Sequence, residues 1–594
     1  MLLVERPSRK CSADPVGLVI VTPMPRQTVA EVLACFEDEF AAASSAFARG
    51  DYALWLGSGI SRDVVPGVDQ LLRGLLCFIQ EQIDPADDRC RFRSALGEIL
   101  DIAEVPDTLR DPIDFAQPVE SWPSLSDLIV WLRNKYAAVL DVRVEGEQPD
   151  FLVWAGIKAA ATYGAPHLQP DVEHLCVAIL MLEGAVRFVP TTNWDGLIEA
   201  AVSLLAAQPD SLLRVIVLPG DFSSPERTAE LVKFHGCAVR ARADEEHYRD
   251  RLIARESQIS GWAAKPDNKI MKDRLEFVLA SKPAFVVGLS AQDANIHTMF
   301  NEASQNLVRT WPAAPPAIVC ADEQLGPHHK HMLKVVYGDE ASSAKGAEIQ
   351  ASALLGAYAK PALLALVLYV LTDKLCRLLE HVSDLDLASS EVTRMQDDIR
   401  LLRNEVSVLA AADVRSFVEE LVTTTRLVLS AFRTGNAPAP DATHYEPLTV
   451  KPAAEALDDP NFPGDALGRF AVAVSLLGRG HLAKEWLVSL EVAANPGDAA
   501  VRVTAESGRI SDVFIVKDAG VLSKLEASEL VDVASRDVLI IYAESIPPRT
   551  TRSPRTRYGR TGDSGAREVD LAALCGAAST ADELFESFKL EGAL

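Results

Sequence analysis

The sequence feature that most constrains the fold is a repeated strand–turn–helix pattern. Short runs rich in β-branched and aromatic residues end in polar or glycine-containing turns, and most lead into segments with helical spacing. The runs are YALWLGSGIS, RFVPTTNWDGLIEAA, LLRVIVLPGDF, VKFHG, PAFVVGLSAQDANI and PPAIVCADEQ. Strands that alternate with helices favour a parallel sheet covered on both faces. The sequence therefore predicts an α/β fold built on a Rossmann-like, doubly wound parallel sheet.

Polar residues follow the predicted strand FVPTT. Thr192, Asn193 and Asp195 stand at its carboxyl end, where sheets of this kind bind ligands. The Asn193 amide offers a donor and an acceptor, and Asp195 offers a carboxylate, so the pair suits a ribose and a carboxamide. The structural alternative is that Asp195 caps the helix that begins in GLIEAA.

The run LGSGIS carries Gly57, Ser58, Gly59 and Ser61. Glycine lets backbone amides approach phosphate oxygens closely, and a helix that follows favours negative charge at its start. Because Arg62 follows and no third glycine is in register, this is not the G-x-G-x-x-G fingerprint. A plain strand-to-helix turn is the alternative.

Two later turns add further candidates. His235-Gly236 follows a predicted strand, and neutral imidazole is the natural base near pH 7, although a lone histidine is usually structural. Gly288, Ser290 and Asp293 follow the strand FVV and suit a ribose or a phosphate.

In this order, the four turns resemble the sirtuin-like family over roughly residues 27–340. The family signatures are Gly-Ala-Gly-x-Ser, Thr-Gln-Asn-x-Asp, His-Gly and Gly-Thr-Ser. Here they read Gly57-Ser58-Gly59-Ile60-Ser61, Thr191-Thr192-Asn193-Trp194-Asp195, His235-Gly236 and Gly288-Leu289-Ser290.

The resemblance implies that NAD binds across the sheet edge as a substrate. Asn193 and His235 would be catalytic, with His235 acting as the base toward a ribose hydroxyl or water. The residues that would bind NAD are Gly57, Ser58, Gly59, Ser61, Thr192, Asp195, Gly288, Ser290 and Asp293.

One departure from the family pattern concerns metal. Protein-deacylating sirtuins carry a four-cysteine zinc module after the histidine, whereas this chain has only Cys237 between His235 and Gly288. No zinc is therefore expected, and the case for an acyl-lysine groove is weakened. Zinc-free sirtuin-like domains with long helical and C-terminal parts resemble the NAD-depleting effectors of bacterial antiphage systems.

The implied function is an NAD glycohydrolase that releases nicotinamide and ADP-ribose in antiphage defence. The alternatives are an NAD-dependent protein deacylase and a non-catalytic NAD or ADP-ribose sensor. Unregulated NAD hydrolysis would kill the host, so regulation by homo-oligomerisation or by a partner is expected. Family context suggests a HerA-type hexameric ATPase, with a short Argonaute as the second choice.

Composition limits partners and compartment. The formal net charge of −26 opposes non-specific binding to nucleic acid or anionic membrane, so any nucleic-acid role is at most indirect. The nine cysteines include no C-x-x-C pair and read as reduced thiols of a cytoplasmic protein. The apolar run PALLALVLYVL is too short to span a membrane and predicts a core helix.

The chain divides by pattern into several parts. These are a leader (1–27), the catalytic domain (28–340) with a helical insertion at about 64–185, a helical region (341–434), a linker (435–452) and a small C-terminal α/β domain (453–594).

Three other features leave alternatives open. A 3-4-3-4-3 seam predicts packing inside the helical region or, alternatively, self-association; it comprises Val392, Met395, Ile399, Leu402, Val406 and Leu409. His328, His329 and His331 suit an exposed helix start or a metal. Six arginines between Arg549 and Arg567 suit a solvated loop or a contact with an acidic partner or nucleic acid.

Overall fold

The computed structural model describes residues 26–87, 89–306, 309–436, 442–490, 499–546 and 565–594. The predicted leader lies almost wholly outside these ranges. So does the arginine-rich loop, of which only Arg567 is described.

Six parallel strands form the main sheet in the order β3-β4-β2-β1-β5-β6. The strands are β1 (Ala53–Leu56), β2 (Phe188–Thr191), β3 (Leu213–Ile216), β4 (Ala229–Lys233), β5 (Ala284–Val287) and β6 (Ile318–Ala321). All are fully buried except the edge strand β3, in which buried and half-buried side chains alternate. Continuous burial is expected of a parallel sheet covered on both faces. The predicted fold class and the six predicted strands are confirmed.

Helices fill the connections of this sheet. Before β2 the described chain forms α1 (Val29–Glu37), α2 (Ala41–Ala48), α3 (Val68–Glu81), α4 (Arg91–Ile102), α5 (Asp107–Arg110), α6 (Leu125–Asn134), α7 (Tyr136–Leu140), α8 (Ala159–Tyr163) and α9 (Val172–Leu182). Between β2 and β6 it forms α10 (Leu197–Leu205), α11 (Pro209–Leu212), α12 (Ala238–Ala243), α13 (Glu245–Tyr248), α14 (Glu256–Gly261), α15 (Lys269–Ser281) and α16 (Ala294–Asn306).

The two faces of the sheet pack into different cores. Leu54 and Leu56 of β1 face one core, which also contains side chains of α1, α2 and α9. Ala53 and Trp55 face a second core with side chains of α15 and α16. Helices α3, α4 and α6 contribute to a third apolar cluster, which also contains Ala241 of α12, Leu252 and Ala254. Helix α9, in contrast, belongs to the main core.

The chain after β6 continues as a helical region. It comprises α17 (Pro327–Tyr337), α18 (Gly346–Ala353), α19 (Ala359–Glu380), α20 (Ser389–Leu409), α21 (Val414–Thr434), α22 (Ala453–Leu457) and α23 (Gly464–Leu482). The apolar run Pro361–Leu371 lies in α19, and residues 362–368 are buried against α1, α2 and α9 in the main core. The prediction of a core helix is therefore confirmed. In the described ranges no helix is long and apolar enough to cross a membrane.

The seam of α20 lies mostly inside the protein. Met395 and Ile399 are buried with α23 in a core of the helical region, whereas Leu409 is 66% exposed. Packing accounts for most of the seam.

Buried polar contacts attach the described part of the predicted linker to the main core. The Lys374 ammonium of α19 donates to the Glu183 carboxylate at 2.5 Å and to the Thr449 carbonyl at 2.6 Å. The Tyr445 hydroxyl donates to the other Glu183 oxygen at 2.7 Å. Because both charges are paired and hydrogen-bonded, they can lie inside the protein.

A second, mixed sheet forms the C-terminal part, in the order β11-β10-β9-β8-β7. Its elements are β7 (Trp486–Leu490), β8 (Val501–Ala505), β9 (Ile510–Val516), α24 (Ala519–Ala527), β10 (Val538–Tyr542), β11 (Arg567–Asp570), α25 (Leu571–Ala577) and α26 (Ala581–Gly592). Strands β9, β10 and β11 are parallel, and β7, β8 and β9 are antiparallel. The predicted C-terminal α/β fold is confirmed.

Candidate active site

The four predicted turns follow four neighbouring strands of the main sheet, β4, β2, β1 and β5. From β1 the chain continues to β2 on one side, and β5 later pairs with the other side of β1. A ligand crevice forms at such a change of direction, at the carboxyl ends of the strands. The fold therefore brings the sequence-predicted residues to one edge.

The glycine turn after β1 packs directly on the turn after β5. The Gly57 amide donates to the Val287 carbonyl at 3.1 Å, and the Gly59 amide donates to the Gly288 carbonyl at 2.9 Å. A Cβ at Gly59 would lie 2.7 Å from the Gly288 Cα, and Gly288 itself has φ +65°. Glycine is required here because the two backbones touch.

Ser61 lies at the buried end of the glycine turn and accepts two hydrogen bonds. The Asp171 amide donates to His174 Nδ1 at 3.1 Å, so the ring proton is on Nε2, which lies 3.0 Å from the Ser61 hydroxyl oxygen. The Asn193 amide nitrogen donates to the same oxygen at 3.2 Å. With two donors on its oxygen, Ser61 can direct its own proton toward a ligand.

His174 was not predicted as a site residue. It is fully buried, and burial lowers the pKa of its imidazole, which favours the neutral ring. A histidine in the first turn of an apolar helix gave no local sign of its contact with Ser61.

Asn193 has an acceptor without a partner. Its side chain is 5% exposed, and its carbonyl oxygen is buried with no hydrogen-bond donor in the described structure. A buried acceptor without a donor is costly unless a ligand or water supplies one. Asp195, in contrast, accepts the Leu197 amide at 3.1 Å; it lies one residue before Gly196, the N-cap of α10, so it contacts the helix start without being its cap.

His235 is buried at the end of β4, and burial lowers the pKa of its imidazole despite the nearby Asp293 carboxylate. Its Nε2 atom accepts from the Asn295 side-chain amide at 2.9 Å, which places the ring proton on Nδ1. Nδ1 faces the Asp293 carboxylate at 3.9 Å. The Tyr136 hydroxyl of α7 donates to the other Asp293 oxygen at 2.5 Å, so the insertion orients the carboxylate that faces the histidine.

Asn295 and Tyr136 are further residues that the sequence analysis missed. Asn295 is 2% exposed, and its carbonyl oxygen, like that of Asn193, is buried without a donor. Its position two residues after Asp293 was the available signal. Tyr136 is separated from Asp293 by 157 residues, and no sequence pattern indicated that the two side chains would meet.

The other predicted residues lie around this cluster. Ser58 and Ser290 are exposed at the two glycine turns, and Thr192 and Asp293 are half-buried. The Thr192 amide donates to the Leu56 carbonyl at 3.3 Å, so its backbone continues the pairing of β1 and β2.

The histidine run after β6 packs beside the same edge. His329 is buried with Nε2 2.7 Å from the Leu289 carbonyl, and the rings of His328 and His331 lie 5.6 and 4.9 Å from that of His297. Within the described ranges no group of three or more histidine, cysteine or acidic side chains is positioned to hold a metal ion.

Fold and site together define a parallel α/β domain with a buried histidine at the polar carboxyl edge of its sheet. Residues 187–332 match the family model described as SIR2-like domain, so this part of the chain is a SIR2-like domain and the resemblance is confirmed. The match contains the turns after β2, β4 and β5 and begins after the glycine turn of residues 57–61. No curated protein matches the chain.

The SIR2-like family uses NAD, and the residues present fit this molecule. The unpartnered carbonyls of Asn193 and Asn295 can accept from a carboxamide or from ribose hydroxyls, and the Ser61 hydroxyl can donate. This segment is therefore similar to a family of NAD-utilising proteins.

Proposed function

We propose that this protein is an NAD glycohydrolase that converts NAD and water to nicotinamide and ADP-ribose. The observation that carries the proposal is the pair of buried, unpartnered carbonyl oxygens of Asn193 and Asn295, of which Asn295 also contacts the buried imidazole of His235. Such an arrangement supplies acceptors for a polar sugar and a base for one water.

The chemistry needs little acid catalysis. Breaking the bond between the ribose C1′ and the nicotinamide nitrogen gives an oxocarbenium-like sugar, as in glycoside hydrolysis. The leaving nitrogen already carries positive charge, so it departs neutral without protonation. Water then adds to C1′, and its proton passes to His235 Nε2, which must first be released from its hydrogen bond with the Asn295 amide. A positioned base of this kind contributes about 10²–10⁴-fold.

The side chains around His235 have separate tasks in this scheme. Asn193 and Asn295 accept from the carboxamide or the ribose hydroxyls and fix the sugar. Ser61, whose oxygen accepts hydrogen bonds from His174 and Asn193, donates a hydrogen bond from its hydroxyl to the substrate. Asp293, oriented by Tyr136, faces His235 Nδ1 and stabilises the imidazolium once His235 has taken the proton.

We further propose that the activity serves antiphage defence in the cytoplasm and is regulated by assembly. The support is the resemblance to zinc-free, NAD-depleting effectors and the long helical and C-terminal parts joined to the SIR2-like domain. A homo-oligomer is expected, with a HerA-type hexameric ATPase as the first candidate partner and a short Argonaute as the second.

The test measures free nicotinamide after the full-length protein is mixed with NAD, over a range of protein concentrations. We expect the wild-type protein to release nicotinamide without any peptide. We expect His235→Ala to release none while it retains the thermal stability of the wild type. Release only when acylated peptide is added would instead establish a deacylase. A sensor would be established if calorimetry showed NAD binding but no nicotinamide were released, either at any protein concentration or after the candidate partner is added.

A further inference from the structure

We propose that Arg62, oriented by the ring of Tyr358, binds the diphosphate of the dinucleotide. This inference rests on the proposed function, because it assigns the phosphate subsite of the same site. It also gives the helical region a direct part in that site.

Arg62 directly follows the glycine turn. It is the residue after the short 3-10 turn Ser58–Ser61, and its side chain is exposed. Its guanidinium carbon lies 4.0 Å from the centre of the Tyr358 ring, within the range of a cation–π contact. The ring therefore fixes a cation beside the turn.

The charge of Arg62 has no close acidic partner in the described ranges. No carboxylate oxygen there lies within ion-pair distance of its guanidinium. The positive charge of Arg62 does act at longer range on the Asp322 carboxyl, whose pKa it tends to lower. The neighbouring Lys360, by contrast, contacts Asp63 at 2.7 Å and Asp171 at 2.9 Å. In a chain with a formal net charge of −26, an unpaired guanidinium at a nucleotide turn points to an anionic ligand.

Two backbone amides of the glycine turn are already hydrogen-bonded, so a cation is needed to bind phosphate there. The Gly57 and Gly59 amides donate to the carbonyls of Val287 and Gly288, so these two groups are not free for phosphate oxygens. A diphosphate carries two negative charges, and arginine matches phosphate oxygens with a planar pair of donors. Arg62 supplies the positive charge that the engaged amides do not.

Tyr358 comes from outside the segment that matches the SIR2-like family. It precedes α19, and a Cβ at Gly59 would overlap its hydroxyl oxygen, so the ring packs on the glycine turn itself. The ion pairs of Lys360 with Asp63 and Asp171 fix the start of α19 at the same place. The position of Arg62 therefore depends on how the helical region is seated.

The test compares two probes by calorimetry: ADP-ribose, which has the diphosphate, and adenosine, which lacks it. We expect Arg62→Gln to weaken ADP-ribose binding about 10- to 100-fold and to leave adenosine binding unchanged, since only a charge-assisted contact is lost. Arg62→Lys should recover part of the loss. The matched control is Arg73→Gln, an exposed arginine of α3, which should bind both probes like the wild type.

The role of the ring is tested separately. Tyr358→Phe keeps the aromatic face and should bind ADP-ribose like the wild type, whereas Tyr358→Leu should weaken it about 3- to 10-fold. Thermal unfolding of each variant shows that it is folded.

Three outcomes would overturn the assignment: unchanged ADP-ribose binding in Arg62→Gln, an equal loss for adenosine, or no ADP-ribose binding by the wild type. The proposed hydrolysis fails independently. If the wild type binds ADP-ribose through Arg62 but releases no nicotinamide, the phosphate subsite stands and the glycohydrolase does not. If the wild type releases nicotinamide and Arg62→Gln has an unchanged KM for NAD, the glycohydrolase stands and the phosphate subsite at Arg62 does not.

Discussion

The two sheets of this protein both carry polar side chains after their parallel strands, but they use them differently. After β9, Asp518 accepts the Val521 amide at 2.9 Å and so caps α24. After β10, Glu544 lies 3.6 Å from Lys517. Asp570, which ends β11, accepts the amides of Ala573 and Ile546 at 3.0 and 2.9 Å. These groups have partners in the helices and turns that follow the strands of the same sheet.

At the carboxyl edge of the main sheet, some buried polar groups have no such partner. The side-chain carbonyls of Asn193 and Asn295 and one carboxylate oxygen of Glu173 are buried with no donor in the described structure. Because a buried acceptor without a donor is costly, these acceptors suit a donor from a ligand or water. Polar residues at strand ends therefore indicate a site only when their hydrogen-bonding capacity is left open.

The most direct test of this difference between the two sheets is to remove one polar residue from each. Asn193→Ala should lower nicotinamide release by about 10²–10³-fold, the scale for a group that stabilises a transition state. Asp518→Ala should leave turnover unchanged and lower the free energy of unfolding by about 1 kcal/mol, because only a helix cap is lost. Initial rates and denaturant unfolding measure both. Equal rates in the two variants would remove the distinction between the sheets.

A second test uses pH at Glu173. Burial raises the pKa of this carboxyl from its usual value of 4.5 to about 7. The protonated form is therefore the stable one when folded, and its contribution to stability is complete below about pH 4.5 and is lost as pH rises through about 7. Glu173→Gln should match the wild type at pH 5 and exceed its free energy of unfolding by up to about 3 kcal/mol at pH 9.

Denaturant unfolding of both proteins at several pH values checks this prediction. Since His174 and His235 are present in each, their own titrations cancel in the difference. A stability difference that does not change with pH would show that Glu173 is not buried as described.

The smallest expected effect concerns Tyr136, which acts on His235 through Asp293. Tyr136→Phe should reduce kcat about 10-fold and change KM by less than about 2-fold, because a positioning contact for the base is lost while substrate contacts remain. Tyr52→Phe is the control: its hydroxyl donates to the Pro316 carbonyl at the amino ends of β1 and β6, opposite the candidate site, so its loss should not change turnover. A rise in KM with kcat unchanged would assign Tyr136 to substrate binding instead.

The sequence alone predicted much of the fold and part of the site. The six strands of the main sheet were recognisable because a buried parallel strand is a short apolar run closed by a turn, and this pattern is local. Gly57, Gly59, Asn193 and His235 were recognisable because each stands at such a strand end. The roles assigned to them in NAD hydrolysis stay predictions until turnover is measured.

Residues that act through distant partners were not recognisable. His174 looks like any residue of an apolar helix, and its bond to Ser61 joins positions separated by 113 residues. Tyr136 reaches Asp293, and Tyr358 packs on Gly59, only after the insertion and α19 have folded onto the sheet edge.

Local sequence specifies the alternation of strands and helices, the polar strand ends and their order, because backbone preferences and hydrophobic periodicity extend over only a few neighbouring residues. Folding of the whole chain establishes which buried acceptors remain without donors and which cation is unpaired at the glycine turn. Those properties depend on every group that packs against a side chain, including groups hundreds of residues away, and no local pattern records them.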